Sequence, residues 1–234
     1  MMASGAYWQA VSLSSAVEPG AASGVIVDGR ELVVWRDQAG EAHVWEDRCP
    51  HRGMRLSFGA VRGDRLACLY HGWQYDGAGE CRAIPAHPDM VPPKTIKVLT
   101  YSVTEAFGMI WMSPENPAPI AFDAPTITPL RSLTLDCPLA MVCEVLSATD
   151  LPSFVGSGLG TIFKPVKGQP ALWTLTRGAD RLLIAGQIVD YARSVLHMAI
   201  LGKPEVFGGA GQIHFARWAE RLRAEVETLA RDAA

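Results

Sequence analysis

The sequence predicts an α+β protein in two parts, an all-β domain over residues 1–119 and a mixed domain over 120–234 that ends in a helix. Three observations predict this. Short apolar runs separated by tight-turn signals crowd the first half, a proline-rich stretch follows, and one long 3.6-residue stripe closes the chain.

In the first half, Val25–Val27 and Leu32–Trp35 flank Asp28-Gly29. Asp-Gly between apolar runs signals a hairpin, because a type I′ turn needs positive φ at both central residues. Asp37 to Gly40 makes the next break, before Ala42–Trp45, and Gly63-Asp64 and Asp76-Gly77 mark later turns. Between Ser113 and Pro129 stand Pro114, Pro117, Pro119, Pro125 and Pro129. Proline cannot donate to a ladder and disfavours helix, so this stretch reads as extended linker. Beyond it, Trp173–Thr176, a Gly178–Asp180 turn and Leu182–Ile184 read as a second hairpin. From about Gln212 the tail reads as a helix. Phe215, Trp218, Leu222, Val226 and Leu229 fall at steps of three and four, with Arg221–Glu225, Arg223–Glu227 and Glu227–Arg231 as i,i+4 pairs on other faces.

Composition narrows the function classes. Of 234 residues, 49% are hydrophobic and 19% charged, enough to bury a core, and a net charge of −3 argues against gripping a nucleic-acid backbone. No apolar run reaches the ~18 residues of a membrane span, and the first basic residue is Arg30, so no basic leader is expected and the expected compartment is the cytoplasm. Five cysteines, an odd count, do not read as a disulfide framework. Cys81, Cys137 and Cys143 read as small buried hydrophobes, and His43 and His87 as surface or turn residues.

The remaining cysteines sit beside histidines. Cys49-Pro50-His51 and Cys68-Leu69-Tyr70-His71 form C-x-H and, after sixteen residues, C-x-x-H. Two thiolates and two imidazoles suit tetrahedral zinc, yet zinc fingers usually take both Cys from one loop and both His from a helix. One Cys and one His from each loop suits a Rieske [2Fe–2S] cluster, with both Cys on one iron and both His on the other. Gly53 and Gly72 follow the two pairs and let the backbone approach the sulfurs.

The motifs CPHRG at Cys49–Gly53 and CLYHGW at Cys68–Trp73 resemble the Rieske domain of ring-hydroxylating (non-haem iron) oxygenases. The resemblance continues through WQYDGAGEC at Trp73–Cys81, IPA at Ile84–Ala86 and GMIWM at Gly108–Met112, and covers residues 7–119. It implies a [2Fe–2S] cluster held by Cys49, His51, Cys68 and His71; Tyr70 and Trp73, from their position beside the second pair, read as shielding it. It also implies a ferredoxin or flavin reductase as electron donor, and a homotrimer. Neither loop offers the extra Cys that respiratory Rieske proteins join as a disulfide, so the expected potential lies at the low end of the range, roughly −150 mV.

The resemblance further implies a helix-grip-like second domain holding one mononuclear iron through two His and a carboxylate. Here the pattern departs. The nearest match to the ligand helix is Glu144–Gly156, where the His positions read Asp150 or Leu151 and Gly156, and no His stands between His87 and His197. The acidic turn before the last helix offers only Glu205. The second domain therefore reads as abridged, with its own iron site missing. His197, Glu205 and His214, with Asp190 or Asp150, are the residues left for a substitute, but their spacings match no helix face or hairpin pair. Three functions remain in view: an electron relay toward an iron-bearing oxygenase subunit, a stand-alone Rieske electron carrier, and a non-catalytic redox or iron sensor.

Overall fold

The computed structural model describes residues 7–124 and 126–233. Pro125 of the expected linker lies outside them, as do residues 1–6 of the first expected domain and Ala234 of the second. The chain runs through β1 (Gln9–Leu13), β2 (Ala22–Val27), β3 (Arg30–Arg36), β4 (Ala42–Glu46), β5 (Ala60–Arg62), β6 (Arg65–Ala67), β7 (Gln74–Asp76) and β8 (Cys81–Ala83). It continues with β9 (Ser102–Ala106), β10 (Met109–Ser113), β11 (Thr128–Leu135), α1 (Leu139–Ala148), β12 (Ile162–Pro165), β13 (Leu172–Arg177), β14 (Asp180–Ile188), β15 (Ser194–Ile200), α2 (Pro204–Phe207) and α3 (Ala210–Asp232). The α+β class is as expected.

Three small antiparallel sheets build the first half, in the orders β1-β10-β9, β2-β3-β4 and β5-β6-β7-β8. The β2–β3 hairpin turns at Asp28 and Gly29, whose φ values of 51° and 74° are the pair a type I′ turn requires. His43 departs from expectation. It lies on β4 with its side chain 12% exposed and stacked 4.3 Å from Trp35, because β4 is buried rather than a surface turn.

Among the described residues, the segment between Ser113 and Thr128 forms no helix or strand. It still packs: Ile120 and Phe122 lie on the core, and Trp8 Nε1 donates to the Ala118 carbonyl at 3.1 Å. Beyond it, one antiparallel sheet runs β11-β15-β14-β13-β12. Period-2 alternation gives this sheet two buried faces. Leu182 and Ile184, with Leu196, Met198 and Ile200, meet α1 (Val142, Leu146) and α3 (Phe215, Trp218, Leu222, Val226). The opposite residues Leu183, Ala185 and Ala199 meet Trp8 and Ala10 of the N-terminal segment and Met109 and Trp111 of β10.

The last helix starts at Ala210, two residues earlier than expected, because the Gln212 side chain accepts the Gly209 amide at 3.0 Å and closes the first turn. Gln212 Nε2 also donates to the Pro129 carbonyl at 2.6 Å, which fixes the helix to β11. Leu229, expected on the apolar stripe, is 46% exposed, whereas Phe215, Trp218, Leu222 and Val226 are all buried.

Candidate metal centre

Two loops meet at one end of the first half. The first leaves β4 and the second joins β6 to β7. Their backbones close alike. The Cys49 amide donates to the Met54 carbonyl and the Gly53 amide to the Cys49 carbonyl, each at 2.8 Å. In the second loop the Cys68 amide donates to Trp73 at 2.8 Å and the Gly72 amide to Cys68 at 3.0 Å. Gly53 and Gly72 take φ values of 72° and 69°, the left-handed region a side chain disfavours. A Cβ on Gly72 would also stand 3.0 Å from Pro85 Cγ, so the Ile84–Ala86 motif braces the second loop. Asp47 anchors the first, accepting the Ser57 amide at 2.7 Å and its hydroxyl at 2.6 Å.

These matched knuckles bring the four expected donors to one place. Cys49 and Cys68 are buried at 2% and 3% exposure, with the Cys68 thiol against that of Cys49. His51 and His71 stand outward, their ring centroids 4.6 Å apart. Burial pushes the Cys68 thiol up, while the backbone amides of Tyr70 and His71, aimed at its sulfur, work the other way. His51 is shifted down by desolvation, with the neighbouring His71 and Arg52 adding to the shift.

The arrangement of the donors bears on which metal they would hold. Among the described residues, the one group of three donor atoms within 4.8 Å of one another is Asp37, Glu41 and His43, not any three of these four. Tetrahedral zinc, at ~2.0–2.3 Å per bond, would draw all four donors to within about 4 Å. Two buried sulfurs side by side with two imidazoles further out fit a sulfide-bridged iron pair, whose irons are ligated separately by Cys and by His.

Three neighbours complete the site. Trp73 stacks on His51 at 4.2 Å with rings 5° from parallel. Tyr70 covers His71 at 3.8 Å yet is 59% exposed, so it shields one ring rather than the whole centre. Tyr75 went unnoticed in the sequence. Its hydroxyl lies 3.1 Å from Cys49 Sγ on a fully buried ring, and burial raises its pKa far enough to keep it a protonated donor. The signal was available: Tyr75 falls two residues after Trp73 in β7, where alternation turns it inward. Cys81 joins the same core, its thiol shifted up chiefly by burial.

In the second half the residues left for a substitute site stay apart. His197 is locked by Ser132 Oγ on Nδ1 at 2.8 Å and Gln187 Oε1 on Nε2 at 2.7 Å. His214 lies against Phe154 and Phe215, and Glu205 is exposed on α2. Among the described residues these three form no group of donors within 4.8 Å. Leu151 is fully buried in the helix-side core, and Gly156 lies against Ala179. The loop around them is pinned by buried Asp180, which accepts the amides of Phe154 at 2.8 Å and Val155 at 3.1 Å.

Comparison with known proteins identifies the first domain. The family profile described as "Rieske [2Fe-2S] domain" matches residues 7–101. Over 127 residues the chain is 42% identical to oxidoreductase NdmD of Pseudomonas putida, covering 50% of this chain and 22% of that protein. It is 41% identical to a 4beta-methylsterol monooxygenase of Methylococcus capsulatus (49% and 32% covered) and 34% identical to methylxanthine N1-demethylase NdmA of P. putida (56% and 39%). These matches span well under half the length of each relative. Solved structures share the fold more widely: NdmA with caffeine at TM-score 0.73 and 21% identity, covering 95% of this chain and 80% of that one, and dicamba monooxygenase bound to dicamba at 0.74 and 18%, covering 96% and 87%. Among the described residues no helix is long and apolar enough to cross a membrane.

Proposed function

Taking as premise the Rieske [2Fe–2S] domain that residues 7–101 constitute, we propose that this chain is a one-electron relay of the Rieske oxygenase kind, bound through Cys49, His51, Cys68 and His71 and serving an iron site on another polypeptide. The observation that carries the reading is the pair of matched loops, each giving one buried thiol and one outward imidazole. When bound, the cluster supplies reversible one-electron chemistry.

The chain's own residues set how that chemistry is used. Cys49 and Cys68 keep the sulfur end dry, and the Tyr75 hydroxyl and the Tyr70 and His71 amides place donors at the sulfurs. The Tyr75 bond lifts the expected potential above what the bare loops imply. His71 faces solvent beside Leu69 and Tyr70, 64% and 59% exposed, which makes this tip the edge where a ferredoxin or flavin reductase docks. Residues 120–234 serve as a docking body. Asp150 or Leu151 and Gly156 stand where iron-binding histidines are expected; Leu151 and Gly156 cannot ligate a metal, and exposed Asp150 accepts the Thr161 hydroxyl at 3.1 Å.

Iron and sulfide analysis of the purified full chain tests this. The reading expects about two irons per chain and a Rieske spectrum. About three irons per chain together with substrate-dependent oxygen uptake would overturn it in favour of a self-sufficient oxygenase. Cys68→Ser is expected to abolish the visible absorbance, while Cys81→Ala and Cys143→Ala retain it; a full spectrum in Cys68→Ser rejects the ligand set.

A further inference from the structure

The end of the β3–β4 hairpin gathers metal-ligating side chains that the two cluster loops do not use. Trp35 pairs with His43 across the ladder, so Asp37 and Glu41, two residues on from each, fall on the same face. Asp37 closes the turn between them. Its amide donates to the Glu41 carbonyl at 3.0 Å, and its Oδ1 accepts the Glu41 amide at 2.8 Å. One donor atom each from Asp37, Glu41 and His43 therefore lies within 4.8 Å of the other two.

The imidazole is held in place from two sides. It stacks on Trp35 at 4.3 Å, and the β7–β8 turn presses on it, where a Cβ on Gly77 would stand 2.7 Å from His43 Cε1. In that fixed position Nε2 is buried and has no hydrogen-bond partner among the described residues, a state that folded proteins rarely leave unanswered. Asp37 Oδ2 stands 3.8 Å from it, too far for a hydrogen bond and near the ~3.4 Å that two ligands of one tetrahedral zinc keep. Burial lowers the His43 pKa more than Glu41, Asp37 and Asp76 together raise it, so the ring is a neutral imidazole with a lone pair to give rather than a cation paired with Asp37.

The carboxylates are also uncommitted to a cation. Asp37 is 9% exposed at its side chain, and among the described residues no Lys or Arg pairs with it or with Glu41. Arg36, next to Asp37, is taken by Glu105 at 2.6 Å. Asp76 is not a further ligand, because its oxygens already accept the Ala78 and Glu80 amides at 3.1 and 3.0 Å and the Arg82 guanidinium. One imidazole with two carboxylates suits zinc, whereas calcium and magnesium prefer oxygen alone. Glu41 is exposed and swings freely enough to close the remaining distance, which leaves a fourth position to water.

We propose that Asp37, Glu41 and His43 bind one zinc ion that clips the β3–β4 turn and fixes the His43 ring against the β7–β8 turn. The proposal is independent of the electron-relay reading, since none of the three is a cluster ligand. Equilibrium dialysis of the full-length holoprotein against zinc chloride tests it. About one zinc per chain is expected, with a Kd below ~10 µM, at least about tenfold tighter than calcium, and with the visible spectrum unchanged. Glu41→Gln and His43→Gln should each weaken zinc binding by about tenfold or more. Glu41 is exposed, so its variant decides even where His43→Gln fails to fold. No zinc uptake up to ~100 µM, equal uptake by Glu41→Gln, calcium held as tightly as zinc, or bleaching of the cluster absorbance by zinc each overturns the proposal. Failure of the relay reading shows instead in the iron count, which this measurement leaves untouched.

Discussion

His197 shows how one buried side chain ties stability to pH. Burial alone pushes its pKa down to about 4, and its neighbours Ser132 and Gln187 are neutral. An unfolded histidine titrates near ~6.5, so below that pH the unfolded chain takes up a proton that the native chain refuses. Stability from this residue is therefore complete above ~6.5 and declines toward pH 4, by on the order of 3 kcal/mol over the window. Denaturant unfolding followed at several pH values should show this slope, and His197→Gln should flatten it; an unchanged slope in the variant would contradict the assignment. At this scale the four side chains proposed as cluster donors were legible as a group, because Cys and His at those spacings have few other uses. Tyr75 was not, because an inward tyrosine in a strand is ordinarily packing and only the 3.1 Å approach to Cys49 sets it apart.

Among the elements, the segment after α1 decides what the second half can do. Asp180, fully buried at the start of β14, holds Ser153, Phe154 and Val155 by side-chain and amide bonds. Arg177 holds the carbonyls of Leu151 and Gly158 at 3.0 and 3.1 Å. Asp180→Ala should leave those amides unpaired, lower stability by about 2–3 kcal/mol and speed hydrogen exchange at Phe154 and Val155. Protection unchanged at both amides would show that the loop is held by packing alone. The sequence reading captured α3 through its stripe and the β13–β14 hairpin through its glycine turn. It named neither β11 nor β15. Ser-Val-Leu-His-Met-Ala-Ile in β15 is covered on both faces, and such a strand reads as a nearly continuous apolar run with no polar alternation to betray it.

Across the whole molecule, the two halves share one core and one polar thread. Trp8, Ala10, Met109 and Trp111 pack on Leu183, Ala185 and Ala199. Beside them runs a chain of hydrogen bonds from Ser132 through His197 to Gln187 and on to the Ile26 carbonyl of β2. The Asp28 and Gly29 amides add bonds to Ile188 and Val189 at 2.8 and 2.7 Å. Gln187→Leu breaks the thread in its middle and strands both His197 Nε2 and the Ile26 carbonyl. The expected cost is about 2 kcal/mol, read as a lower denaturant midpoint with the visible cluster spectrum intact. An unmoved midpoint would mean the apolar core alone joins the halves.

The amino-acid sequence by itself determined the Rieske character of the first domain and the α+β class. Both rest on local signals, namely ligand spacing, turn residues and helical period, that few neighbours can override. Tertiary structure alone decided that the two loops are near copies, that both thiols are buried while the imidazoles stand outward, and that a sheet buried on both faces joins the halves. Those outcomes depend on distances between residues remote along the chain, which are set when side chains pack and satisfy their polar groups, and no short window of sequence records them.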